Sequence, residues 1–300
     1  MSIQDKAFKN RDGYKNNYGG NKKDYKPSWK EVARKEKEWA NKTSDEMAIK
    51  VGKNMKDFID YLDVQTKFEM YSASNALLIL NQMPSATYLR EYSKWKNDGY
   101  EVSKPEEKVI IIKKEITTKE DGTYGTFYNA KRLYDVSSTN APALEIKDLP
   151  DKQTIIKSLL NSSKFKVDVV DSIDNNRLAL YNSDQNIMQI VRGQDADSKI
   201  QDLVMEIAKI DFKVNEDGID KTENEKRKFK STCVSYMFCK KFNIDFPKDK
   251  FAELPNYLPE TSKEIKAELE KIKDTYITTV DRMYSAIDRE RNSKSKEQVR

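Results

Sequence analysis

The sequence predicts an α+β protein of two domains, a helical-plus-small-sheet amino-terminal part and a carboxy-terminal part of short strands and long helices. Three observations predict it. Apolar residues recur at helical spacing between residues 44 and 98; the period switches to two over EKVIIIKKEITT (107–118); and short strands followed by long amphipathic helices begin after residue 154. SSTNAPALEIKDLPDKQ (137–153) separates the two sets, with two prolines and no period. The expected division is a basic arm at 1–28, a first domain at 29–140, a linker at 141–153 and a second domain at 154–300.

The elements follow in order. Residues 1–28 hold almost no large aliphatics, and residues 1–30 carry eight Lys/Arg against three Asp, a net of +5 that equals the formal charge of the whole chain. This reads as a disordered basic arm, with Tyr14, Tyr18 and Tyr25 set between lysines. Such an arm suits either single-stranded nucleic acid or no partner at all. Ser44 offers an N-cap to a helix carrying Met47, Val51, Met55, Phe58, Ile59 and Leu62 up to residue 62, and a second helix spans 73–82. A third runs through Tyr88, Tyr92 and Trp95 to a stop at Gly99. A strand (107–118), a DGTYG turn and a partly extended return (126–136) complete the first part. The second part reads as a helix near 152–161, strands at 165–170, 177–182 and 187–192, helices at 197–213 and 222–242, and a long amphipathic helix at 261–291. That last helix could pack back onto its own domain or pair with another chain, and packing back is the expectation.

Composition excludes several chemistries. There is no histidine, so His-based nucleophile pairs, imidazole zinc ligands and a His general base are absent. NEDGID (215–220) has the look of a calcium loop, but its register would put Lys213 and Asn224 at the first and last ligand positions, so it reads as a polar turn. Cys233 and Cys239 make no disulfide framework and read as buried thiols in a reducing cytoplasm. The longest apolar runs fall short of a membrane span, so no membrane association is expected. No cofactor and no metal are expected either.

The helix IQDLVMEIAKIDF (200–212) carries Met205-Glu206-Ile207-Ala208-Lys209 where a zinc peptidase would carry HExxH. Only the glutamate is present. Alone, a Glu and a Lys on a helix mark a solvated face. In context, the chain resembles the ArdC-type antirestriction proteins and LtrC-like proteins of conjugative elements, from about Ser44 to Ile287. The elements that carry the likeness are Tyr71-Ser72-Ala73-Ser74-Asn75-Ala76-Leu77-Leu78, then Tyr92-Ser93-Lys94-Trp95-Lys96-Asn97-Asp98-Gly99, then the basic strand from Lys104 to Lys114, and Phe127-Tyr128-Asn129. The resemblance implies a single-stranded-DNA-binding first domain and a zincin-like second domain. It also implies a third metal ligand that, aligned on Tyr236, falls at Thr232. All three ligand positions, Met205, Lys209 and Thr232, depart from the pattern together, so the expectation is an inactive pseudo-metallopeptidase with Glu206 left without its chemistry.

Function is therefore expected in DNA binding, protecting incoming DNA of a plasmid or other mobile element. The residues expected to touch single-stranded DNA are Tyr71, Asn75, Lys94, Lys104, Lys108, Lys113, Lys114, Tyr124, Tyr128, Lys131 and Arg132. Lysines that track a phosphate backbone beside aromatic stacking platforms are what sequence-tolerant binding needs. A plainer reading stands beside this one. A strand alternating Ile and Lys is a half-buried edge guarded by its lysines, and Tyr71, Leu77, Leu78 and Trp95 suit a core. The alternative function is a protein-interaction scaffold that meets other transfer or replication proteins through its second domain and last helix.

Overall fold

The computed structural model describes residues 28–118, 122–143, 148–193, 195–215, 218–247, 250–251 and 259–297. The basic arm expected at 1–28 lies, but for Ser28, outside the described residues. The chain is α+β, as its sequence predicts.

Helix α1 spans Trp29–Val51, capped by the Ser28 hydroxyl, which accepts from the Glu31 N–H. Its first half is too polar to show an apolar period. It is laced instead by i,i+4 ion pairs, Glu31–Lys35 and Arg34–Glu38. The helix expected across 44–62 is two helices. α1 stops at Gly52, where a Cβ would come within 2.9 Å of the Ile265 side chain, and Asn54 then caps α2 (Met55–Lys67) through the Asp57 N–H. α3 (Ala73–Gln82) follows, its Ala73 N–H donating to Glu270 Oε2 at 2.7 Å.

The expected third helix is only partly helical. Leu89–Glu91 form strand β1, and helix α4 is confined to Tyr92–Asn97. The pairing of β1 with β3 is non-local, and Asp135 fixes it by accepting the Thr87 and Tyr88 N–H groups at 2.7 and 2.8 Å. β2 (Lys108–Thr118) and β3 (Tyr124–Asp135) form a long antiparallel ribbon, and the sheet order is β1-β3-β2. β2 is thus an edge strand, yet its outward backbone is not left bare. The Asn75 amide exchanges two hydrogen bonds with Ile112 (2.8 and 2.9 Å), and Gln82 exchanges two with Ile110 (both 2.9 Å). Two amides seven residues apart on one helix stand in for a missing strand.

The second half opens with α5 (Lys152–Asn161) and a three-stranded sheet of order β4-β6-β5. β4 (Lys166–Val170) runs parallel to β6 (Ile187–Val191), and β5 (Ala179–Asn182) antiparallel to it. Helices α6 (Ala196–Asp211) and α7 (Lys221–Lys241) pack together, and α8 (Ser262–Glu297) packs back across the molecule. The turn between α6 and α7 contains Asn215 and Gly218, both at positive φ; residues 216–217 of the expected polar turn lie outside the described residues. Cys233 and Cys239 are buried free thiols in α7, and burial pushes the Cys239 thiol up to about 12.

The core does not divide at 141–153. Phe58, Leu62 and Leu77 from the first half and Met188, Ile200, Phe238 and Tyr276 from the second belong to one apolar cluster. α8 joins them by polar contacts too: Lys266 to Asp45, Tyr276 to Glu69 and Arg282 to Asp211.

Candidate nucleic-acid interface and the α6–α7 helix pair

Directly paired residues of an antiparallel ribbon share a face, so the register sorts the β2–β3 side chains. Near the body, Ile110, Ile112 and Ala130 pack under Trp39 and Ala40 of α1, while Val109, Ile111 and Leu133 on the opposite face enter the main core. Farther out, the two faces differ in chemistry.

One outer face carries Lys114 opposite Tyr128, Ile116 opposite Thr126 and Thr118 opposite Tyr124. Tyr124, Tyr128 and Ile116 are exposed, at 77%, 50% and 66%. Lys114 has no ion-pair partner among the described residues. The two tyrosines stand four residues apart on one strand, about 14 Å. The other outer face carries Lys131, Lys113, Asn129, Glu115 and the exposed Phe127, and its charges neutralise one another. Lys113 binds Glu91 at 2.8 Å and Lys131 binds Glu115 at 2.5 Å. The Lys113 hydrogen bond holds the Glu91 carboxyl below its usual range against a smaller burial effect, with Lys131 and Lys94 adding to the pull. Hydrogen bonds from Lys131 and Asn129 lower Glu115 in the same way.

The remaining expected contacts are scattered. Arg132 is clamped by Glu36 of α1 through two nitrogens. Lys104 lies in the loop before β2, 3.4 Å from Glu107, and Lys108 starts β2 opposite Tyr134. Lys94 is exposed on α4. Asn75 is buried with its amide engaged by Ile112, and half-buried Tyr71 packs edge-on against Phe68. Both hold the scaffold, together with Leu77, Leu78 and Trp95, which are buried as the plainer reading expects. Sequence reasoning missed Ile116, whose apolar side chain continues the VIII run beyond the covered part of the strand. It also missed the acids Glu36, Glu91 and Glu115, because a carboxylate that neutralises a distant lysine leaves no local pattern.

The α6–α7 pair gathers the residues expected of the degenerate metal site. Thr232 Oγ1 lies 3.8 Å from Met205 Sδ and also donates to the Lys228 carbonyl. Lys209 Nζ lies 2.6 Å from Glu206 Oε1, and Arg177 approaches the same oxygen at 3.7 Å. Glu206 is buried, and its other oxygen accepts the Tyr181 N–H of β5 at 3.3 Å. The pair is therefore an internal tie between helix and sheet, not a solvated face. As a metal cradle the set does not fit. A thioether, an ammonium and a hydroxyl already bonded to a carbonyl cannot replace two imidazoles and a carboxylate. Among the described residues, no group of three His, Cys, Asp or Glu side chains gathers elsewhere. No described helix is long and apolar enough to cross a membrane.

No protein-family model matches the sequence, and no curated protein matches it. By structure, the chain is similar to the antirestriction protein ArdC of plasmid R388. Its Mn(II)-bound crystal structure aligns with a TM-score of 0.52 at 13% identity, covering 72% of this chain and 84% of that one. The metal-free crystal structure of the same protein gives 0.47 at 13% identity over 72% and 85%. The likeness to the Mn(II)-bound structure bears out the resemblance read from the sequence at the level of fold.

Proposed function

We propose that the chain is a sequence-tolerant single-stranded-DNA-binding protein of antirestriction type, serving a plasmid or another mobile element, and that the open outer face of the β2–β3 ribbon is where DNA binds. The observation that carries this reading is the exposed set Lys114, Tyr128, Ile116 and Tyr124 on one outer face of the ribbon, while Lys113 and Lys131 on the other outer face are neutralised. Bases stack on the rings, the phosphate backbone meets Lys114, and no base edge is read. The fold shared with a plasmid antirestriction protein supplies the biological setting.

In this reading the second half is a pseudo-enzyme. Met205, Lys209 and Thr232 offer no ligand set, so the chain performs no zinc-dependent hydrolysis. Stoichiometric zinc in the purified protein, or proteolysis that stops in Glu206→Gln, would overturn that part. The scaffold alternative loses its main surface, because Ile265, Leu269, Ile272, Tyr276, Val280, Met283 and Ile287 of α8 are all buried within the chain.

The test is fluorescence polarisation with single-stranded DNA, duplex DNA and RNA at two salt concentrations, with and without residues 1–28. Single-stranded DNA is expected to bind tightest and to weaken steeply with salt, and loss of the arm is expected to flatten the salt slope. Tyr124→Ala and Tyr128→Ala should each cost about 1–3 kcal/mol, roughly 5- to 150-fold in Kd. Affinity indifferent to both substitutions sinks the proposal.

A further inference from the structure

The second sheet ends in an open edge. Among the described residues β4 pairs only with β6: the Lys166 N–H donates to the Asn186 carbonyl at 2.9 Å, and the Arg192 N–H donates to the Val170 carbonyl at 3.0 Å. In a parallel ladder this turns the backbone of Lys166, Asp168 and Val170 toward β6 and that of Val167 and Val169 away from it. No described residue bonds those outward groups. The Val167 and Val169 side chains share a face with Met188 and Ile190. Met188 and Ile190 are buried, while Val167 and Val169 remain 43% and 48% exposed. The apolar side of the sheet therefore runs on past its helix cover. Edges are ordinarily blunted by shortness, charged side chains, a proline, a bulge or a covering segment. This one is short and valine-rich, and its two charges, Lys166 and Asp168, are of opposite sign, so they can pair across a two-fold instead of repelling a second copy.

We propose that β4 is a self-association edge, where a second copy of this chain adds its own β4 antiparallel about a two-fold axis at Val167. The register follows from the charges. Centred on Val167, Lys166 of each copy faces Asp168 of the other, twice over, and Phe165 faces Val169 on the apolar side. Centred on Asp168, the two aspartates would oppose each other, which disfavours that register. Centred on Val169, no charges match. Neither Lys166 nor Asp168 has an ion-pair partner among the described residues of its own chain. The product is one continuous six-stranded sheet, β5-β6-β4-β4-β6-β5, with a closed, isologous contact. One pair of edge strands is a small interface, so the dimer is weak and depends on concentration.

Sedimentation velocity over a wide concentration series tests this on the full chain. The wild type is expected to pass from monomer to dimer. Asp168→Lys sets lysine against lysine and should weaken dimerisation at least tenfold, and Lys166→Asp with Asp168→Lys should restore it. Val167→Pro removes an outward N–H, so it should abolish dimerisation while circular dichroism and Tm keep the fold. A wild type that stays monomeric throughout overturns the proposal, whether or not another protein's strand occupies β4. So does a dimer indifferent to Asp168→Lys, or a double variant that fails to recover.

Discussion

Lys209→Met should destabilise the protein far more than an ordinary helix substitution. Glu206 is 3% exposed, and its carboxylate is held by Lys209 at 2.6 Å, the Tyr181 N–H at 3.3 Å and Arg177 at 3.7 Å. Removing the ammonium leaves a buried charge with one backbone donor and a more distant guanidinium. Breaking a buried pair from one side costs about 3–5 kcal/mol. The Lys209 side chain keeps some solvent contact and Arg177 can close in, so the expected loss is about 2–3 kcal/mol. Removing both charges, as Glu206→Leu with Lys209→Met, should return the protein to within about 1 kcal/mol of wild type. Urea unfolding of the four proteins of the cycle gives the coupling energy, provided the m-values agree. If Lys209→Met lies within about 0.5 kcal/mol of wild type, the size of an ordinary surface substitution, or if the double variant is no better than the single, Glu206 is not held as argued.

Three further outcomes follow from the ribbon and its supports. Asn75→Leu should cost at least about 2 kcal/mol, because it strands both backbone groups of Ile112 under a helix; hydrogen exchange should then accelerate at Ile110 and Ile112 first. Glu91→Gln with Glu115→Gln frees Lys113 and Lys131 on the face opposite the proposed one, so it should change single-stranded-DNA binding and its salt slope far less than Lys114→Ala does, and a clearly tighter complex with a steeper slope would place DNA on that face instead. Burial pushes the Asp135 carboxyl up, but hydrogen bonds from Tyr88, Ser137 and Thr87 outweigh it and leave the pKa lowered. A carboxyl lowered on folding contributes fully above its unfolded pKa, about 4, and loses that contribution as pH falls through the folded value. The stability gap between wild type and Asp135→Asn should therefore shrink below about pH 4, and a gap constant down to pH 2 would refute it.

Elements whose signal is local were legible in the sequence. The period change at 107–118, the strands before residue 192 and the helices after 196 all fall within a few residues of their places. What the sequence hid was set by distant partners. Leu89–Glu91 is extended because β3 pairs with it, and nothing in YLREYSKW says so. The first half of α1 is helical through ion pairs and through Trp39 lying on the ribbon, not through an apolar period. Gly52 and Asn54 did carry a stop and a start, overshadowed by apolar residues continuing on both sides. At the site, ring and lysine positions could be read from alternation along the strand. Which basic side chains are already neutralised could not, since Glu91 lies 22 residues from Lys113 and Glu36 lies 96 residues from Arg132.

Helix α8 also sets an order of events in the cell. The Ala73 N–H waits for Glu270, 197 residues later, and Asp45 waits for Lys266, 221 residues later. At about 5–20 residues per second, the helices at the start of the chain leave the ribosome some 10 to 40 s before the surface that buries them exists. For that interval Val51, Leu62 and Leu77 have no complete core to enter, so the nascent chain is most exposed to chaperones and proteases just before α8 emerges.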